Sequence, residues 1–599
     1  MLRSRTWCLL QIPRISLKMA MSPFASNFRN HIIFGVVIIV AGLIAWRLFV
    51  LSYVRHTVYS KTAQAQNENI GNILIRGNIY IQDPKVVDSA TNGQYLVATN
   101  KKFPVLYAIP TVISDAEATA TALHQIVGGE RGQILTTLNS KASGAKPVTR
   151  KLNNDQVGAI NKLGIKGISI RYEMGRHYPA DTLAANVLGF LGFSSQGREG
   201  QYGVEAYFDG ELSGKAVYVA ESTGPTNKSS SLTSLFGFFS KESEQTNLRP
   251  SDVVLTIDSN IQSYVEDKLS ELLKKWSATG GTIIVQDPRS GKILAMTDRP
   301  NFNPNNYGEA KPETYLNRST QEVFEPGSSY KPVTMAIGLD LGKITPNTTY
   351  TDTGLIEIDG RQIHNFDGKE HGTVTMTKVL EKSLNTGVAF VQKLVGQDEF
   401  LNYSINFGFG QKTGIDLPAE ANGNIANLYS GRQVNFVTAS FGQGIAVTPL
   451  QLINAYSALA NGGKLMKPYL VDQIVYESGK VKETEPEIVS IPISEKTSEK
   501  IRSMLVSVVD NGFDKARIRG YDVAGKTGTA QIPSPSGGYE KDVFIHNFLG
   551  FAPASNPKFV ILIKMDRPQG ITFAADSLSP TFRDITQFLI NYYNIPPTR

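Results

Sequence analysis

A membrane-anchored α+β protein is the fold the sequence predicts, and three observations predict it. One apolar run near the N-terminus is long enough to cross a bilayer. Regular strand and helix patterns start only at about residue 252. From there a hairpin, a long and mostly helical insert, a second hairpin and a closing helix follow in order, which suits helices packed on an antiparallel sheet. At 599 residues the chain exceeds one compact core, and ~150 residues per domain points to two to four units. With 41% hydrophobic and 19% charged residues it is neither wholly disordered, nor collagenous, nor polytopic.

The anchor is Ile32 to Val54, broken by the single charge of Arg47. At ~1.5 Å per residue this run reaches about 34 Å, enough for a ~30 Å hydrocarbon core. Arg3, Arg5, Arg14, Lys18 and Arg29 precede it without an acid, which places the N-terminus inside the cell and the rest outside. A cleaved leader is the rival reading. Its small-residue site, Ala63-Gln64-Ala65, lies beyond Arg55 and Lys61, too far from the apolar run. Five of the seven net charges fall in this tail, so the count does not supply the remaining chain with the basic face that nucleic acid needs. The single cysteine, Cys8, excludes an internal disulfide framework and a cysteine zinc site. The expected organisation is a cytoplasmic tail 1–31, an anchor 32–54, a pedestal 55–250 and a catalytic domain 251–599. A polar loop, 222–247, closes the pedestal.

In the catalytic part, Ile257 to Trp276 reads as a helix with Ile261, Val265, Leu269 and Leu272 on one face. Thr282 to Gln286 and Lys292 to Met296 read as one hairpin, Val543 to Ala552 and Lys558 to Met565 as another, and Pro580 to Tyr593 as the closing helix.

Three short motifs carry chemistry. Ser-x-x-Lys occurs at Ser143–Lys146, in a polar loop that fixes no geometry, and at Ser328–Lys331, before the helical Val333 to Leu341. Residues three apart share a helix face, so the Lys331 amine can serve the Ser328 hydroxyl as its base if burial lowers its proton affinity. Ser383-Leu384-Asn385 follows the helical Met376 to Leu380, offering a proton-relay hydroxyl and a carboxamide for a peptide group. Lys-Thr-Gly occurs at Lys412, running into a turn, and at Lys526-Thr527-Gly528, running through Thr529 into a strand. The second suits a cleft wall: Lys526 attracts a carboxylate, Gly528 admits a close backbone, and the Thr529 N–H faces an oxyanion.

Ser-x-x-Lys, Ser-x-Asn and Lys-Thr-Gly in this order are the signature of penicillin-binding proteins and serine β-lactamases. The chain resembles a class B penicillin-binding protein of the division-type (FtsI-like) branch. Further residues carry the likeness: Arg176-His177-Tyr178-Pro179, Gly200-x-x-Gly203-x-Glu205, Leu255-Thr256-Ile257-Asp258, Asn317-Arg318, Phe324-Glu325-Pro326-Gly327, Phe441-Gly442-Gln443-Gly444 and Gly520-Tyr521-x-x-Ala524-Gly525. After Arg76-Gly77 the family's aspartate-arginine-glycine is replaced by Ile79-Tyr80-Ile81-Gln82.

The resemblance implies an elongated dimerisation-type pedestal and a transpeptidase domain with a five-stranded antiparallel sheet flanked by helices. It implies that Ser328 attacks the carbonyl between the last two D-alanines of a peptidoglycan stem peptide, with Lys331 as base, Ser383 as relay and Asn385 on the substrate backbone. Lys526, Thr527 and Thr529 would bind the terminal carboxylate, and the N–H groups of Ser328 and Thr529 the oxyanion. The acyl group then passes to an amine of a second stem peptide. No cofactor or metal is implied. The implied partners are stem peptides, β-lactams, a membrane glycosyltransferase and division proteins, and the implied role is septal wall synthesis at the cytoplasmic membrane. The alternatives are an elongation-type transpeptidase, a β-lactamase using Asp398 in Asp398-Glu399-Phe400-Leu401-Asn402, and a β-lactam sensor.

Overall fold

The structure, a computed structural model, describes residues 75–85, 93–141, 144–194, 197–214, 249–534 and 537–599, with four isolated positions earlier in the chain. Apart from those four positions, which fall within 32–54, the anchor, its tail and the loop 222–247 lie outside the described residues. Among those described, no helix is long and apolar enough to cross a membrane. All the elements that follow belong to one compact unit, Ile75–Arg599.

The N-terminal part opens with β1 (Ile79–Gln82), β2 (Gln94–Ala108), β3 (Lys146–Thr149) and β4 (Ile168–His177). Lys146, expected in a loop, starts β3; its partner Ser143 lies outside the described residues. The replacement segment Ile79 to Gln82 is itself β1, with Ile79 and Ile81 fully buried. Next to it, Glu205 sits between two guanidiniums, with Arg76 Nε at 2.6 Å and Arg176 Nε at 2.7 Å. Burial would push its carboxyl up, but Arg176 and Arg76 overcome this and hold it below the usual carboxylate range.

Strand β5 (Asp252–Asp258) pairs parallel with β1, and it joins β10 (Val471–Val475) and β11 (Val481–Glu483) further on. One seven-stranded sheet, in the order β11-β10-β5-β1-β2-β3 with β4 also on β2, thus runs across the expected boundary at 250/251.

Helix α1 (Ser259–Trp276) starts two residues later than expected. The Asp258 carboxylate accepts from the Asn260 and Ile261 N–H groups, which ends the strand and caps the helix. Its predicted stripe, Ile261, Val265, Leu269 and Leu272, is buried, at ~1.5–3 kcal/mol per side chain. The stripe covers one face of a five-stranded antiparallel sheet. That sheet contains β6 (Gly280–Gln286) and β7 (Ile293–Arg299), then β12 (Ala524–Pro533), β13 (Tyr539–Ala552) and β14 (Phe559–Asp566), in the order β12-β13-β14-β6-β7. The closing helix runs over Ala574–Tyr592 and joins α1 on this face through Leu578, Phe582, Ile585 and Leu589. It begins six residues before Pro580: the buried Ala574 and Leu578 extend the apolar stripe, and Asp576 suits the helix N-terminus.

On the other face lies α5 (Pro449–Ala460), buried over its whole length, and behind it α2 (Lys331–Asp340), α3 (Met376–Glu381) and α4 (Asn385–Val395) pack into the same apolar core. Strand β12 is an edge strand, and the catalytic motifs gather beside it.

Candidate active site

The nucleophile candidate stands on a bolted turn. Gly327–Tyr330 forms a 3-10 turn that leads directly into α2, so Ser328 and Lys331 share one helical stretch. Ser329 Oγ donates to Pro326 O at 2.8 Å, Asn547 Nδ2 donates to the same carbonyl at 3.0 Å, and the Tyr456 hydroxyl donates to Ser329 O at 2.6 Å. Ser328 lines a cleft of about 620 Å³ together with Ser383, Asn385, Lys526, Thr527 and Thr529. Six of the eight predicted residues therefore meet in one cavity.

Lys331 lies just behind it, fully buried. Its amine donates to the Ser383 carbonyl and, at 3.2 Å, to Ser383 Oγ. Among the described residues no hydrogen bond joins it to Ser328. The motif 52 residues away, not the neighbour three residues away, satisfies the amine. Lys526 Nζ reaches the same Ser383 Oγ at 3.0 Å and Thr527 O at 3.2 Å. One hydroxyl thus bridges two buried amines. Burial, then the charge of Lys526, holds the Lys331 amine well below the usual lysine range, and burial brings Lys526 to about 7.

Ser383 adopts a left-handed conformation, φ 56°, between α3 and α4. Asn385 opens α4, and its Nδ2 donates to His364 O at 2.9 Å. On β12, Thr529 Oγ1 accepts the Ala574 N–H at 3.1 Å, which ties the strand to the closing helix. Gly528 departs from its expected role. It is not part of the cleft wall, and a Cβ there would come 2.5 Å from Pro326 O. Its missing side chain lets the nucleophile turn abut β12, rather than admitting a substrate backbone.

The discarded motifs behave as surface features. Thr413 and Gly414 wrap the Glu420 carboxylate, their N–H groups at 2.8 and 3.1 Å, and Lys412 is exposed. Asp398 is exposed in the first turn of the helix Gln397–Asn406, outside the cleft wall.

Sequence reasoning missed much of the wall. Phe366 and Phe573 meet edge to face at 5.7 Å, and Phe441, Gln443, Phe513 and Thr572 also line the cleft. Of these six, only Phe441 and Gln443 stand in a motif singled out above. Among the described residues no cluster of three or more metal-ligating side chains occurs.

The penicillin binding protein transpeptidase domain family matches residues 281–587, and the penicillin-binding protein dimerisation domain family matches residues 75–228. This chain belongs to the class B penicillin-binding proteins. Its relatives include stage V sporulation protein D of Bacillus subtilis, 33% identical over 85% of this chain and 78% of that one. The probable peptidoglycan D,D-transpeptidase PenA of Neisseria meningitidis is 28% identical over 96% and 95% of the two chains. Among solved structures, penicillin-binding protein 3 of Mycobacterium tuberculosis complexed with aztreonam superposes with a TM-score of 0.65 at 25% identity. That match covers 88% of this penicillin-binding protein and 98% of the other chain.

Proposed function

We propose that this peptidoglycan D,D-transpeptidase works through a serine acyl-enzyme on Ser328 and serves septal wall synthesis. One observation carries the mechanism: the buried, proton-poor Lys331 amine shares the Ser383 hydroxyl with Lys526 beside the Ser328 turn. A neutral Lys331 takes the Ser328 proton as Oγ adds to the penultimate D-alanine carbonyl. The Ser328 and Thr529 N–H groups hold the oxyanion. The tetrahedral centre collapses, the C–N bond breaks, and the proton travels through Ser383 to the leaving D-alanine amine. Lys526, Thr527 and Thr529 hold the terminal carboxylate. An amine of a second stem peptide then attacks the ester, gives up its proton along the same route, and releases Ser328.

The septal role rests on the names of relatives, among them an FtsI homolog of Mesostigma viride and stage V sporulation protein D. The same reading takes Ile32 to Val54 as a single-pass anchor with the catalytic domain outside, 55–250 as pedestal and 251–599 as transpeptidase domain. A membrane glycosyltransferase and division proteins are its partners. Depletion yields filaments under this reading and round cells under an elongation role. For the mechanism, mass spectrometry of the chain incubated with penicillin should find one adduct, on the peptide containing Ser328 and absent from Ser328→Ala. The sequence offers no carboxylate at the spacing expected of a deacylating base for water, a step commonly worth ~10²–10⁴-fold, so the ester should persist. An adduct that survives in Ser328→Ala overturns the nucleophile, and rapid loss of the adduct overturns transfer in favour of hydrolysis.

A further inference from the structure

A buried polar network outside the cleft grips the segment that carries Ser383. Between α2 and α3 the chain makes an excursion whose ends, β8 (Thr349–Asp352) and β9 (Gly372–Thr375), pair antiparallel. At its heart lie Asp352, Asn365 and Thr386, each 2–3% exposed. The Asp352 carboxylate accepts the Thr386 hydroxyl at 2.7 Å, the Asn365 amide at 2.9 Å, and the Gly354 and His371 N–H groups at 3.1 and 3.0 Å. The Asn365 carboxamide oxygen in turn accepts the Thr386 N–H at 3.3 Å. The Tyr350 hydroxyl lies 3.1 Å from Thr386 Oγ1.

This arrangement supplies what α4 lacks. Its N-cap is Leu384, which has no side chain able to cap, so the first N–H groups need partners from elsewhere. Asn365 provides one, and the Asp352 carboxylate puts negative charge at the positive end of the helix. His364, next to Asn365, holds the Asn385 amide. Ser383 is therefore clamped from both sides. On one side α3 holds it, with its N–H on Leu380 O at 3.2 Å and the Leu384 N–H on Val379 O at 2.9 Å. On the other side stands the Asp352 network. A serine in the left-handed region is strained, and such strain persists only where flanking structure enforces it.

We infer that Asp352 is a positioning residue for acylation: through Thr386 and Asn365 it keeps Ser383 in the left-handed conformation in which one hydroxyl bridges the Lys331 and Lys526 amines. This rests on the proposed role of Ser383. The reactive lysines owe their geometry to a carboxylate that touches neither of them.

The test measures penicillin binding and the acylation rate separately on the full chain by stopped flow. Asp352→Asn puts an amide donor among four donors. The acylation rate should fall roughly 10- to 100-fold, as expected for a displacement of about 1 Å at the reacting groups, while the binding constant stays within about threefold. Exchanging the two groups, Asp352→Asn with Asn365→Asp, restores one carboxylate and one amide and should recover the rate to within about fivefold. Thr386→Val, an isosteric change that removes the hydroxyl shared by Asp352, Asn365 and Tyr350, should act in the same direction and gives the readout if Asp352→Asn does not fold. Unchanged acylation in Asp352→Asn or Thr386→Val, or a folded exchange variant no faster than the single one, overturns the inference. Unchanged acylation in Ser383→Ala overturns instead the role of Ser383 on which it rests.

Discussion

Replacing Lys526 by methionine tests how the two lysines divide the work. Their amines lie 3.2 and 3.0 Å from one oxygen, Ser383 Oγ, and so within about 6 Å of each other. At an effective dielectric near 20, two unit charges at that separation repel by ~3 kcal/mol, roughly a hundredfold in proton affinity. The Lys526 charge therefore helps keep Lys331 neutral, the form a base requires. Lys526 itself titrates at about 7. Below that value it is charged and able to bind a carboxylate; above it, the carboxylate site loses its charge. Acylation efficiency should thus rise with pH as Lys331 sheds its proton and fall again above about 7 as Lys526 sheds its own. In Lys526→Met the alkaline fall should vanish. The acid limb should move to higher pH by an amount matching that hundredfold, and the maximum should be lower because the carboxylate contact is gone. The assay is the second-order rate of labelling by a fluorescent penicillin from about pH 5 to about pH 9. An acid limb that stays in place, or an alkaline limb that survives, would refute the coupling.

Other perturbations have equally definite outcomes. Lys526→Ala should reduce acylation by at least ~10²-fold, as loss of an oxyanion donor does, whereas exposed Lys412→Ala should shift stability by no more than ~0.5 kcal/mol and leave labelling intact; equal losses would overturn Lys526 as the carboxylate-binding lysine. Glu205→Ala leaves the buried Arg176 without its counter-charge and Arg76 with Asp209 alone, and should cost ~3–5 kcal/mol in denaturant unfolding; a cost below ~1 kcal/mol would show that water reaches the site. The folded value of Lys526 is depressed, so its contribution is most favourable above the unfolded lysine value and is lost as pH falls toward about 7. Removing that cost in Lys526→Met should stabilise the fold at neutral pH by up to ~5 kcal/mol, visible as a higher midpoint of thermal unfolding. If Ile32 to Val54 is an anchor, the full chain should stay in the membrane pellet through carbonate extraction, and its release would sink that reading.

Local pattern carried a good part of this fold. The stripe on α1 was legible because 3.6-residue periodicity is a property of the sequence itself, and so was the pairing of Ser328 with Lys331 on one helical stretch. Legibility ended where partners are distant in the chain. Nothing near Lys331 shows that its amine is satisfied by Ser383, and nothing near Ser383 marks a left-handed serine, since glycine and asparagine are the usual signals of that conformation. Gly528 was recognised as necessary but for the wrong neighbour, because only tertiary packing shows that Pro326 O occupies the space. The start of the closing helix was missed because Pro580 looks like a first-turn residue, and the gain from burying Ala574 and Leu578 is not visible locally. Asp352 and Phe573 belonged to no motif.

The sheet that crosses residue 250 has a practical consequence for anyone dissecting this protein. A catalytic fragment cut there would keep β5 but lose β1, the strand that covers its edge. Bare N–H and C=O groups along Val253 and Val254 would then face solvent, beside apolar surface that Ile79 and Ile81 now cover. Such an edge pairs readily with another copy of itself, so the fragment would aggregate for a reason unrelated to its active site. Supplying the segment around Ile79–Gln82 as a separate peptide, or fusing it ahead of residue 251, would close the edge and keep the fragment in solution.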